Sequence, residues 1–306
     1  MKPAKYLFVL LIISLFTTQN LKAQDQSGVD STGLPGDNFS LQGALEMFQK
    51  AASPEEFEKL LNTEDNHVNN LDLNEDGETD YIRVIDNTDK EAHALVLQAI
   101  ISETESQDIA VIEIEKTGDA SAMLQIVGDE DIYGEEVIAE PTDEDANAFV
   151  PGFNNGVTHG PNPSFSNEPM AIIVNVWLWP SVRFMYAPGY VIWHSPWRWR
   201  HYPGWWRPWR PLRWHVFHPF LRPYHRHFAV VHTHRVVVAH RIYTPVRVSS
   251  VTVRTRHATA VGNYRVTHSR TVVTGPRGNQ AVKKTTTVKG PRGNKAKSTK
   301  VRVKRR

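Results

Sequence analysis

Residues Asp72-Leu73-Asn74-Glu75-Asp76-Gly77-Glu78-Thr79-Asp80 carry the most definite chemistry in the chain. They match the first part of a calcium loop. Asp72, Asn74 and Asp76 offer side-chain oxygens at alternate positions, Gly77 makes the sharp turn, Glu78 offers a backbone carbonyl, and Asp80 offers a carboxylate. A hard divalent cation takes such an oxygen cage because the loop wraps around it. Calcium is therefore the cofactor expected, at Asp72, Asn74, Asp76, Glu78 and Asp80, with Asp129–Asp131 as a source of a further ligand; no organic cofactor is expected. The same residue types also favour a plain Asp/Asn/Gly hairpin turn.

The loop departs from an EF-hand. Arg83 stands where the bidentate Glu would close the shell, and the following residues read as strand. It resembles instead the calcium loops set between β-strands in surface repeat and propeller proteins, which implies weak affinity of the extracellular kind.

A second chemistry lies downstream. All nine Trp fall between Trp177 and Trp214, among closely spaced Pro and Arg. Proline at this density removes amide donors and excludes regular helix or central strand, so polyproline II with three residues per turn is expected. At that period Trp206, Trp209 and Leu212 share one edge, and Arg207, Arg210 and Arg213 another. Guanidinium groups grip phosphates or carboxylates bidentately, while indole rings stack on sugars or settle at a lipid headgroup boundary. The anion- or glycan-binding residues expected are Arg198, Arg200, Trp205, Trp206, Arg207, Trp209, Arg210 and Arg213. The competing expectation is internal, with the same rings and cations stacking on each other.

Histidines crowd the same half, as in His225-Arg226-His227 and His232-Thr233-His234. On a strand each pair would face one way and could chelate zinc or copper. No carboxylate or thiolate accompanies them in sequence and arginines surround them. They read as basic-face residues that become cationic at mildly low pH.

Charge is divided sharply. Residues 24–150 hold thirty-two Asp/Glu and five Lys/Arg; residues 151–306 hold twenty-seven Lys/Arg and a single acid, Glu168. Such a division bears on partners and solubility rather than on fold. The start of the chain reads as an export signal: Lys2 and Lys5, the apolar stretch from Leu7 to Phe16, then Leu21-Lys22-Ala23 at the cut. No later segment reaches the roughly twenty apolar residues that a membrane span requires. There is no cysteine, hence no lipid attachment at a lipobox and no disulfide framework. These features point to a protein exported to the periplasm, outer-membrane surface or exterior. No P-loop, G-x-S-x-G elbow, H-E-x-x-H or cysteine nucleophile occurs, so a non-enzymatic role is expected. The partners expected are anionic envelope polymers or lipids, with self-association through opposite charges as an alternative, in which the basic tail docks on its own acidic domain as a latent, releasable interaction module. Nucleic acid is a weaker alternative that the basic, aromatic-interleaved half would fit generically.

The elements that must hold these residues read as an α+β domain. Leu41, Leu45 and Phe48 recur at helical spacing behind Asn38 and Ser40. Ser53-Pro54-Glu55-Glu56 is a capping box ahead of Phe57, Leu60 and Leu61. The period then changes to two over 79–86, 92–101, 109–116 and 122–126. This gives an antiparallel β-meander whose apolar face the two helices would cover. The layout expected is a signal at 1–23, a flexible leader at 24–37, the acidic domain at 38–140 and a linker at 141–170. A Trp/Arg/Pro-rich segment at 171–227 follows, with a strand over 171–179, and then a basic, β-prone or disordered tail at 228–306. That tail closes on two Gly-Pro-Arg-Gly-Asn copies, 275–279 and 290–294, whose turn chemistry suits hairpins.

Three stretches together resemble an uncharacterised family of exported bacterial proteins: Asn70–Asn74 through Tyr81–Val84, Leu124–Asp131, and the Trp/Arg/Pro segment around Tyr190–Trp209. The resemblance covers most of the chain after the signal and implies an exported envelope protein without a stated activity.

Overall fold

Ser40 ends an extended stretch and its hydroxyl accepts the Gly43 N–H, which starts helix α1 (Leu41–Lys50). Ser53 does the same for α2 (Pro54–Leu61) by accepting the Glu56 N–H, while the Glu56 carboxylate reaches back to the Ala52 N–H. Both helices bury the apolar faces predicted from spacing, with Phe48 and Phe57 meeting edge to face at 5.2 Å. The computed structural model describes residues 31–89, 91–142, 174–274, 280–289 and 295–304, with side chains as far as residue 264. The predicted signal, most of the linker and the two Gly-Pro-Arg-Gly-Asn copies lie outside these residues.

The period-two segments form β1 (Ile82–Asp89), β2 (Ala92–Ile100), β3 (Ser106–Gly118), β4 (Ser121–Gly128) and β5 (Val137–Pro141). Each pairs antiparallel with the next. A short helix, α3 (Glu130–Tyr133), joins β4 to β5. The meander predicted is thus present, and the protein is a mixture of helix and a six-stranded antiparallel sheet. Residues 82, 84, 95, 97, 112, 114, 124 and 126 point towards α1 and α2 in the main core. Gly128 shows how close that packing is: a Cβ there would lie 2.7 Å from the Tyr133 ring.

The sixth strand comes from the basic half. β6 (Phe228–Val231) pairs antiparallel with β5, Ile138 opposite Val231 and Pro141 opposite Phe228. Residues 228–264 are therefore not the irregular or disordered tail that composition implies. After β6 the chain crosses the sheet's second face, where α6 (Val237–Tyr243) packs Tyr243 and Ile242 over Ala94, Val96, Val111 and Val127. This explains why β2 is buried along its whole length. A sheet covered on both faces loses the in/out alternation of a half-exposed one.

Three local expectations are corrected. Residues 171–173 lie outside the described part, and Val174–Trp179 is not a strand. Asn175 Oδ1 takes the Ala122 and Trp177 N–H groups and turns the chain, and α4 (Pro180–Met185) follows with proline in its first turn. Trp214–Leu221 is helical (α5) despite Pro219. The Val/Thr/Arg alternation after Val246 is helical from Val251 to Thr267 (α7) instead of extended. The reason is tertiary: Glu105 accepts from the Thr252 N–H and both Ser250 and Thr252 hydroxyls, and Ser250 Oγ takes the Val253 N–H. A cap supplied by the turn between β2 and β3 outweighs β-propensity. Beyond α7, β7 (His268–Thr274), β8 (Gln280–Lys289) and β9 (Lys295–Lys304) pair antiparallel in that order. The leader expectation also changes at its end, where Asp37 is buried with its carboxylate bonded to Ser31, Thr32 and Gly33.

Candidate functional site

The Trp/Arg segment runs along the outer edge of β1 as a strap. Asp86 N–H donates to Trp193 O and Ser195 N–H to Val84 O, so the exposed ladder of β1 gains a partner. From 193 to 200 burial alternates strictly: Trp193, Ser195, Trp197 and Trp199 lean inward while His194, Pro196, Arg198 and Arg200 face out. Here the period is two rather than three. Between 206 and 213 the polyproline spacing does hold: Trp206, Trp209 and Leu212 turn in, and Arg207, Arg210 and Arg213 turn out.

The inward rings are core. Trp206 is 4 % exposed and meets Tyr81 edge to face at 5.0 Å and Tyr202 at 4.7 Å. This corrects the assignment of Trp206 as a ligand-stacking residue, and the partly buried Trp209 packs into the same cluster. Trp205 differs: it is 48 % exposed, with the Lys59 ammonium 5.8 Å from its ring centre. At the turn 198–201 the backbones of Arg198 and His201 bond to each other, and Arg200 adopts a left-handed φ of 59° with its guanidinium 5.9 Å from the Trp199 ring.

Arg198, Arg200, Arg207, Arg210 and Arg213 are all exposed, and none forms an ion pair with a described carboxylate. Three arginines later in the chain behave differently. Arg235 pairs with Glu140 at 2.9 Å, Arg247 with Asp129 at 2.5 Å and Asp131 at 3.0 Å, and Arg256 with Glu75 at 3.1 Å. The strap thus keeps its cations for solvent, whereas these three arginines are spent on the acidic half.

The acidic loop adjoins the strap. Thr79 N–H and Oγ1 both donate to Trp209 O, and Asn70 exchanges two bonds with the Leu212 backbone. Arg83 fastens the strap too, through Gln98 and Trp197 O, which accounts for a cation at the loop's twelfth position. Inside the loop, Asp72 accepts the Asp76 and Gly77 N–H groups, Asp76 accepts the Glu78 N–H, and Asp80 accepts the Leu73 N–H. Gly77 takes φ +85°, the conformation that the turn requires. Burial raises the Asp80 carboxyl well above the usual range, and the nearby Asp72 and Asp76 carboxylates push it further the same way. Asp129 and Asp131 are not available to this loop, because both engage Arg247.

Beside the loop, Asp37, Asp72, Leu212, Trp214 and His257 line an open cleft of about 300 Å³. The sequence reading missed two buried carboxylates. Glu58, on α2, accepts from Tyr81 Oη, Val84 N–H and Ser195 Oγ, tying helix, sheet and strap together. Glu113 falls on the polar side of the β3 alternation, yet it is enclosed by α6 and the segment before it. Each looked like a surface acid because its cover lies more than a hundred residues away. No protein-family model, curated protein or solved structure matches the chain.

Proposed function

We propose that the protein is a non-enzymatic component of the bacterial envelope or cell surface that adheres through its arginine strap to an anionic polymer such as lipopolysaccharide or acidic glycan. The observation that carries this reading is the contrast in arginine partners. Five strap cations stand exposed on a backbone anchored by inward-leaning indoles and pair with no described carboxylate, while Arg235, Arg247 and Arg256 beyond them pair with acids of the first half. Guanidinium groups carried on a held backbone meet phosphate or carboxylate bidentately with less ordering left to do than on a free chain. Replacing Arg198, Arg200, Arg207, Arg210 and Arg213 by Gln is expected to weaken binding to lipopolysaccharide at least tenfold and to flatten its salt dependence, since exposed charges are screened beyond about 8 Å at physiological ionic strength. Unchanged binding by that variant would overturn the reading.

Docking of the basic half on the acidic half is better read as permanent scaffolding than as a latent, releasable contact, because releasing it would strip a strand from the sheet and uncover its second face. The loop at Asp72–Asp80 fits calcium as a stabiliser, since a cation would relieve the mutual repulsion of Asp72, Asp76 and Asp80. Millimolar calcium is then expected to raise the thermal midpoint of the protein and to lose that effect in Asp76→Asn.

A further inference from the structure

Glu113 of β3 sits with its carboxylate between two imidazoles from the basic half. Its Oε2 is 2.5 Å from His234 Nε2 and its Oε1 is 2.8 Å from His240 Nδ1. The two rings meet edge to face with centres 4.2 Å apart, and the three ligating atoms lie within 4.8 Å of one another. We propose that Glu113, His234 and His240 form a binding site for a divalent transition metal of the zinc class, with the remaining coordination position facing solvent.

The donor set suits that class. Two neutral imidazoles and one carboxylate, with a position left open, are borderline ligands in a number that zinc accepts, whereas calcium takes an oxygen cage. Bonds of about 2.0 Å in a tetrahedron place ligand atoms roughly 3.3 Å apart. The two imidazole–carboxylate separations are a little shorter, so each ring needs to draw back from the carboxylate by less than about 1 Å to admit an ion of that size. Both rings reach the surface in part, giving an entry path, while the carboxylate is fully enclosed.

The supporting shell is built. Gln125 Oε1 accepts the Arg235 and Val236 N–H groups and its Nε2 donates to Thr233 O, pinning the backbone that carries His234. Glu115 Oε1 accepts the Val238 and Ala239 N–H groups, which sets where α6 begins and so where His240 points. Ligands held in this way lose little freedom on binding. Two objections apparent in the sequence are also removed. The missing carboxylate arrives from the other half of the chain, and the neighbouring Arg235 is turned onto Glu140.

Titrating the full-length protein with zinc, followed by calorimetry, is expected to show one equivalent bound. Cobalt in its place should give the intense visible bands of a low-coordinate site. His234→Gln and His240→Gln, at part-exposed positions, should each weaken binding at least tenfold, whereas the double variant His225→Gln/His227→Gln should bind as the parent does. Absence of a stoichiometric site, or binding that survives both His234→Gln and His240→Gln, would overturn the proposal. Should those variants fail to fold, anomalous scattering at the zinc edge from crystals of the parent protein decides instead: a peak between the two rings supports the site and its absence at saturating zinc refutes it.

Discussion

Asp108 shows how a buried acid of the sheet depends on the second half of the chain. Its carboxylate accepts from Gln98 Nε2 at 2.6 Å, Val248 N–H at 2.8 Å and Tyr243 Oη at 3.2 Å. Burial nevertheless outweighs those bonds and pushes the carboxyl up to about 6. An unfolded chain releases this proton near pH 4. Between about pH 4 and 6 the folded protein therefore holds a proton that the unfolded one has lost, and stability from this site falls as pH rises through that window. Asp108→Asn should abolish this fall, a difference on the order of 2–3 kcal/mol across the window, read as urea midpoints compared with the parent at each pH. His225 works in the opposite sense. Burial beside His218 and Arg222 pushes it down to about 4, so it stays neutral in the folded state, and its contribution is lost as pH falls from about 6.5. The expectation of a uniformly acid-cationic histidine face fails at this residue, because enclosure and neighbouring cations oppose its protonation.

At the scale of elements, the strap behaves as a wall of the core that happens to be written in tryptophan and arginine. Trp206→Ala should cost about 3–5 kcal/mol, as large core truncations do, with Trp205→Ala costing under about 0.5 kcal/mol. Trp206→Phe should lie much closer to the parent than Trp206→Ala, since the buried indole N–H has no partner among the described residues. Denaturant unfolding of the three variants checks the order; equal effects at 205 and 206 would refute it. The helix caps, the strand periods and the inward faces of α1 and α2 were legible in the sequence, because each depends on residues three or four apart or on simple alternation. The helix at Val251–Thr267 was not, because its N-terminal amide partner is Glu105, in the turn between β2 and β3. Nor was the role of Glu58, whose Ser195 partner lies in the strap. Sequence spacing conveys local geometry well but leaves out what arrives from afar. The candidate site divides along the same line: the outward arginines followed from period, and the enclosure of Trp206 and Glu113 did not.

For the whole molecule, the division of charge along the chain becomes a means of internal assembly. The acidic half lays out five strands, and the basic half returns to supply the sixth, to cover the second face and to line the β1 edge. Residues 31–142 alone should therefore show no cooperative thermal transition, and supplying residues 174–264 in trans should restore one. A sharp transition of the shorter piece by itself would count against this architecture. The late arrival of β6 has a bearing on how the molecule is made. While ribosomes are still producing the intervening ninety or so residues between Pro141 and Phe228, the outer side of β5 stands as an open template onto which another nascent copy can zip. The dense negative charge of the half already synthesised opposes contact between such unfinished copies until the cations of the second half have emerged.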